Sequence, residues 1–298
     1  MKIDGTTIRR TYLEVPTMDD RKWAKIPGIA ADVFMADIED SVPPDLKDAA
    51  REKVVSLVRD PSFFEGREFI CRPNCLETPW GRDDLEALAE AHAPFVLYPK
   101  ARSVEDVLEV LSIFAKHGAA PELHLIIETP QAIMRLEQIV QVAGVHGVMV
   151  GPGDLSLETG IALFDAQEVF NEGFLYARSK TLINARAVGL EATEGLLVAN
   201  LKDTESVGRA VHRSVLSGFT GNLTFYPPHV EIINAARTPS AEEVVWLRRL
   251  VEAFEAAQAE GKGAVTLDGR WITVHQFSLA KQSLKLVDAL SASLAGSV

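Results

Sequence analysis

The chain has 298 residues and a formal net charge of −12, with 42 Asp and Glu against 30 Lys and Arg. That balance excludes a broad surface for nucleic acid or for an anionic membrane, while leaving room for a local arginine that grips an anionic small molecule. A hydrophobic content of 47% belongs to a globular protein, and a chain of this length buries about three quarters of its unfolded surface without a disulfide or metal to staple it.

In chain order, short β-branched runs alternate with segments of helical period, the pattern of a parallel sheet with crossover helices. The spacing predicts strands at Thr11–Pro16, Asp32–Ile38, Glu68–Arg72, Phe95–Pro99, Glu122–Ile127, Gly147–Val150, Gly189–Ala192 and Asn222–Phe225. The seventh of these is short and reads equally well as the start of a helix. Helices are predicted at Pro44–Arg59, Val104–His117 with Ser103 as its cap, Pro130–Gln141, Ala166–Ala187 and Thr204–Ser217. Eight strands alternating with helices over about 230 residues fit a (β/α)8 TIM barrel, placed at residues 1–237. From Thr238 the pattern changes. Ala241–Ala259 reads as an amphipathic helix, Asp268-Gly269 as a hairpin turn, and Val274–Leu294 as a last helix. This extension, residues 238–298, has too little core to fold alone and is expected to pack on the barrel or on a neighbouring subunit.

Barrel chemistry belongs at the C-terminal strand ends. Those ends carry Asp37, Glu39 and Asp40, then Arg72 and Asn74, Lys100, Glu128 and Asp154. Any one of them could be a solvated loop residue; charges closing so many consecutive strands point to a site. Glu128 and Asp154, on adjacent strand ends, can converge on one hard cation, the way Mg²⁺ is usually held. Mn²⁺ is the second choice. Gly151-Pro152-Gly153 supplies backbone that approaches a ligand closely, but it lacks the third glycine of a dinucleotide fingerprint. Arg72 can take a carboxylate in its guanidinium fork, or pair with Glu39 or Glu128 to order the rim.

The seven histidines are dispersed, which disfavours zinc. Cys71 and Cys75 form no disulfide framework and have no neighbour that would tune a thiolate. Tyr98 and Trp80 are expected as rim packing, and Arg9-Arg10 as a solvated pair or a phosphate contact. The start MKIDGTTIRR has no apolar stretch of the signal-peptide kind, and no run reaches the ~18 residues of a membrane span. A cytoplasmic protein is expected.

The stretches Arg10–Pro16, Asp37–Arg51 (DIEDSVPPDLKDAAR), Arg72–Leu85, YPK, Ile127–Ala132 (IETPQA) and Gly151–Ser156 (GPGDLS) resemble, in order, the citrate lyase β-subunit-like and malyl-CoA lyase family. The resemblance is specific over about the first 160 residues. It thins later to Ser217–Asn222 and Leu267–Ile272. It implies a Mg²⁺-dependent carbon–carbon lyase on a (β/α)8 barrel, trimeric or hexameric, cleaving a 3-hydroxy dicarboxylate as its CoA thioester. By the same resemblance Glu128 and Asp154 hold the metal, and Arg72 binds the carboxylate of the 2-oxo acid half, with the Gly153 and Asp154 amides on its other side. Arg10 touches the CoA end, while Asp37 and Glu39 orient Arg72 and a water on the metal.

Three departures stand out. The first strand ends Val15-Pro16-Thr17 where the family has V-P-G, and Phe225-Tyr226-Pro227-Pro228-His229 replaces I-H-P. In the tail, Thr273 takes the place of an Asp that the family lends to a neighbouring subunit as acid or base. Either His275 substitutes, or the chemistry differs, or that step is lost. Two alternatives therefore accompany the lyase: a CoA-independent 4-hydroxy-2-oxo acid aldolase, against which Asp40 counts where a His often stands, and a non-catalytic binder of 2-oxo acids or acyl-CoA.

Overall fold

A computed structural model describes residues 2, 3 and 6–295, and the chain divides into two compact units. The larger, Arg10–Ile233, is a closed barrel of eight parallel strands. These are β1 (Thr11–Pro16), β2 (Val33–Asp37), β3 (Glu68–Arg72), β4 (Phe95–Tyr98), β5 (Glu122–Ile127), β6 (Val145–Val150), β7 (Glu191–Gly195) and β8 (Gly221–Thr224), with β8 pairing back to β1. The register places Pro16 beside Asp37 and Asp37 beside Arg72, so the polar strand ends lie side by side at one mouth.

Between strands run α1 (Asp20–Trp23), α2 (Lys47–Arg59), α3 (Gly81–Glu90), α4 (Val104–Lys116), α5 (Pro130–Ile139), α6 (Pro152–Thr159), α7 (Leu175–Ala187) and α8 (Thr204–Ser217), and α9 (His229–Ala236) follows β8. Ser103 caps α4 by accepting from the Asp106 amide, and Thr129 does the same for α5 at Ala132. Strand alternation sorts the apolar residues into two layers. Tyr12, Val33, Met35, Ile70, Phe95, Leu97, Ile126 and Met149 fill the barrel's interior. Their neighbours of opposite parity, such as Leu13, Phe34, Cys71, Val96, Leu125 and Val148, pack under the helices.

Two predicted elements are corrected. The seventh strand is Glu191–Gly195, because Gly189 takes a φ of +77° and turns the chain out of α7 before the strand begins. The helix expected over 166–187 starts only at Leu175. Upstream, the Asp165 carboxylate accepts from the Gln167 and Val169 amides, and Phe164 bridges Phe170. That local side-chain bonding offers the backbone an alternative to helix.

The second unit gathers the described residues before Arg10 with the chain from Asn234 onward. It holds α10 (Ala241–Ala259), the hairpin β9 (Ala264–Leu267) and β10 (Arg270–Thr273), and α11 (Val274–Ala295). A capping box at Ser240 and Glu243 starts α10. Asp268 and Gly269, at φ +49° and +76°, make the two-residue turn expected there. Leu250, Phe254, Ile272 and Ala280 form this unit's own small core.

Candidate functional site

Inward-facing positions at the C-terminal ends of β1, β2, β3 and β5 place Glu14, Asp37, Arg72 and Glu128 at one mouth. Arg72 is the hub. Its Nε donates to Asp37 Oδ1 at 2.7 Å and lies 3.4 Å from Glu39 Oε2, while Nη2 donates to Glu14 Oε1 at 3.2 Å. Nη1 has no hydrogen-bond partner among the described residues. Asp37 is fully buried and also accepts from the Glu39 and Ser41 amides. Burial alone would raise its carboxyl, but Arg72's charge and the hydrogen bonds from Arg72, Ser41 and Glu39 hold it at about 2.

The loop after β2 is tied down from behind. Lys47, buried at the start of α2, donates to the carbonyls of Ile38 (2.8 Å) and Glu39 (2.5 Å) and to Asn74 Oδ1 (2.7 Å). Asn74 in turn donates to Ile38 O and Asp84 Oδ2. Asn74 therefore fixes the rim rather than facing a ligand. Glu39 is left pointing at Lys100, whose ammonium it binds closely. The Glu39 carboxyl rises to about 7, chiefly through burial, with Arg72 and Lys100 pulling it back.

Glu128 follows β5, and its Oε1 accepts from the Lys100 amide at 2.8 Å. Burial first, then the charges of Glu39 and Asp154, push its carboxyl up to about 8. Room for it comes from β6: a Cβ at Gly151 would lie 2.4 Å from Glu128 Oε2. Gly151 then caps α6, which puts Asp154 in that helix's first turn. Asp154 Oδ1 lies 3.6 Å from Lys100 Nζ.

The mouth thus brings together Asp37, Glu39, Asp40, Arg72, Lys100, Glu128 and Asp154. It does not include Arg10. That residue precedes β1, so it sits at the other end, about 20 Å of strand away. There its guanidinium grips both oxygens of Asp32. Tyr98 is fully buried rather than at the rim, donating to Asp106 and accepting from the Leu76 amide. Cys71 and Cys75 are buried free thiols, and burial pushes Cys71 far up, out of reactive range. Thr273 binds Gln276 at the start of α11, and His275 is exposed.

Sequence reasoning passed over Glu14 and Lys47. Glu14 lies inside a strand rather than past its end, and only its inward parity with Tyr12 marks it. Among the described residues, the one group of three carboxylate or imidazole ligands whose atoms lie within 4.8 Å of one another is Glu122, His124 and Glu191. It lies at the opposite end from Arg72, where Tyr12 donates to Glu191 and His124 meets Glu122 at 3.2 Å.

The family profile described as HpcH/HpaI aldolase/citrate lyase matches residues 10–227. A (3S)-malyl-CoA thioesterase of Cereibacter sphaeroides is 31% identical over 95% of this chain and 96% of its own length. The citrate lyase subunit beta of Escherichia coli K12 is 32% identical over 90% of this chain and 89% of its own. Among solved structures, protein CitE from Mycobacterium tuberculosis in complex with magnesium, acetoacetate and coenzyme A superposes with a TM-score of 0.79 at 26% identity. It covers 94% of this chain and 98% of that one.

Proposed function

The chain belongs to the HpcH/HpaI aldolase/citrate lyase family, and on that premise we propose that it is a Mg²⁺-dependent carbon–carbon lyase. Its substrate would be a short 3-hydroxy dicarboxylate carried as a CoA thioester of the malyl-, citramalyl- or citryl-CoA type. The observation that carries this is the joint placement of Arg72, Glu128 and Asp154 at one barrel mouth. The magnesium and coenzyme A bound to the M. tuberculosis protein support it.

The donors suit the metal. Glu128 and Asp154 are hard oxygen ligands from adjacent strand ends, and Gly151 leaves the space that the Glu128 carboxylate occupies. Bound there, Mg²⁺ would supply Lewis-acid stabilisation of the oxygen that becomes the 2-oxo acid carbonyl. Arg72 would hold the substrate carboxylate through Nη1, the nitrogen its protein partners leave over. Asp37 fixes the guanidinium plane from behind, and Glu39 lies alongside it. The Gly153 amide, in the first turn of α6, would face the other side of the carboxylate. We include a homotrimer or homohexamer in this proposal, which light scattering on the purified protein tests.

A second reading has its own support. The relatives named (3S)-malyl-CoA thioesterase, together with Thr273 in place of a titratable carboxylate, favour hydrolysis of the thioester rather than cleavage of the carbon–carbon bond. Purified protein with MgCl₂ and malyl- or citramalyl-CoA separates the two. A lyase releases glyoxylate or pyruvate with no free thiol; a thioesterase releases free CoA and the hydroxy acid with no 2-oxo acid. Neither product from either thioester overturns both. Glu128→Gln is expected to abolish turnover and Mg²⁺ binding while leaving the unfolding midpoint unchanged or higher, since a neutral amide suits that buried place. Retained Mg²⁺ affinity in this variant would contradict the ligand assignment.

A further inference from the structure

Lys100 touches every acid of the mouth that surrounds it. Its ammonium binds Glu39 closely, lies 3.5 Å from Asp40 and 3.6 Å from Asp154, and its amide donates to Glu128 Oε1 at 2.8 Å. Its backbone takes a φ of +51°, a left-handed conformation that side-chain-bearing residues seldom adopt. Strain of that kind persists only where the surroundings over-determine it. Four carboxylates are among those surroundings.

A second observation fits the first. Asp40, Glu39 and Asp154 are arranged about the ammonium, and among the described residues no three Asp, Glu, His or Cys side chains of this mouth bring ligand atoms within 4.8 Å of one another. The place where the acids meet holds a cation that belongs to the chain.

We propose that Lys100 is a displaceable internal counter-cation, which holds the acids of the mouth until a divalent ion takes Asp154 from it. This rests on the functional reading above for the identity of the metal ligands. A divalent ion about 2 Å from Asp154 would stand within about 6 Å of the ammonium as it now lies. Two cations that close repel across a poorly solvated mouth, so binding the ion requires the ammonium to give up Asp154 and draw back toward Glu39 and Asp40. Lys100 then sets the affinity for the metal by competing with it. The competition also keeps the mouth from holding several uncompensated charges between turnovers.

The strained backbone supplies a clean variant. Lys100→Gly removes the ammonium while easing the left-handed conformation and keeping the amide that binds Glu128. Lys100→Arg keeps the charge. Calorimetric titration of metal-stripped protein with MgCl₂, at alkaline pH so that protons compete little, should show Lys100→Gly binding at least about 10-fold tighter than wild type. Lys100→Arg should stay within about 3-fold of wild type. Wild type that binds Mg²⁺ while Lys100→Gly binds no tighter overturns this inference and leaves the functional reading standing. Wild type that binds no Mg²⁺ overturns both. If Lys100→Gly is unfolded without metal, refolding on addition of MgCl₂ supports the counter-cation, because the ion then does what the ammonium did. Failure to refold at saturating MgCl₂ overturns it.

Discussion

Arg72 commits Nε and Nη2 to Asp37 and Glu14, and what remains of its fork is a single nitrogen in a fixed plane. That division explains why a guanidinium is required. A lysine could neutralise Asp37 but could not also reach Glu14 and present a third donor in a set direction. Arg72→Lys is therefore expected to fold and to lose about 100-fold in turnover, read by steady-state kinetics beside a circular dichroism check. Arg72→Met should act differently, leaving fully buried Asp37 without its counter-charge. Breaking such a pair costs about 3–5 kcal/mol, which urea unfolding would register. Equal stability of the two variants would mean that the Arg72–Asp37 pair does not organise the mouth.

At the scale of the elements, β6 decides how much room the site has. Gly147 within it and Gly151 immediately after it are glycines, and they face His124 of β5 and Glu128 just past β5. A Cβ at Gly151 would meet Glu128 Oε2 at 2.4 Å, and one at Gly147 would meet the His124 ring at the same distance. Gly151→Ala should displace Glu128 and weaken Mg²⁺ binding by about 10-fold or more with the barrel intact, whereas Gly147→Ala should lower stability with the mouth untouched. Calorimetry and thermal unfolding on the two variants would show that split, and weakened Mg²⁺ binding in Gly147→Ala would contradict it. The barrel and the identity of its polar mouth were legible in the sequence because strand ends carry charge in order, and because side-chain parity is a local property. Arg10 was misplaced for want of one geometric rule: a residue before its strand faces the far end of a parallel barrel. The start of β7 and the stretch before Leu175 were illegible for another reason. There a left-handed glycine and the Asp165 side-chain bonds, not periodicity, set the backbone. The pairing of Lys47 with two carbonyls is tertiary and leaves no trace in spacing.

For the whole molecule, the mouth makes stability depend on pH in a direction opposite to that of most carboxylates. Glu39 and Glu128 rise from 4.5 to about 7 and about 8. Between about pH 5 and 8, the metal-free folded chain therefore holds protons that the unfolded chain has released, and stability falls as pH rises through that window. Asp37, lowered from 3.8 to about 2, works the other way. Its contribution is present above its unfolded value and is lost only as pH drops from about 4 toward 2. The two together place the maximum of the mouth's own contribution to the metal-free protein near pH 4, just below the unfolded Glu value. A divalent ion offsets the cause, since it needs Glu128 ionised and brings positive charge to the mouth that also holds Glu39. At about 100 times its dissociation constant it adds about 2.7 kcal/mol, and more where protons no longer compete. Urea midpoints measured in a chelator should fall from pH 5 to 8, and the same series with MgCl₂ should be flat or rising. A chelated protein that grows more stable over that range would mean that the acids of the mouth are already compensated from within the chain. Lys100 would then be a permanent partner rather than a placeholder.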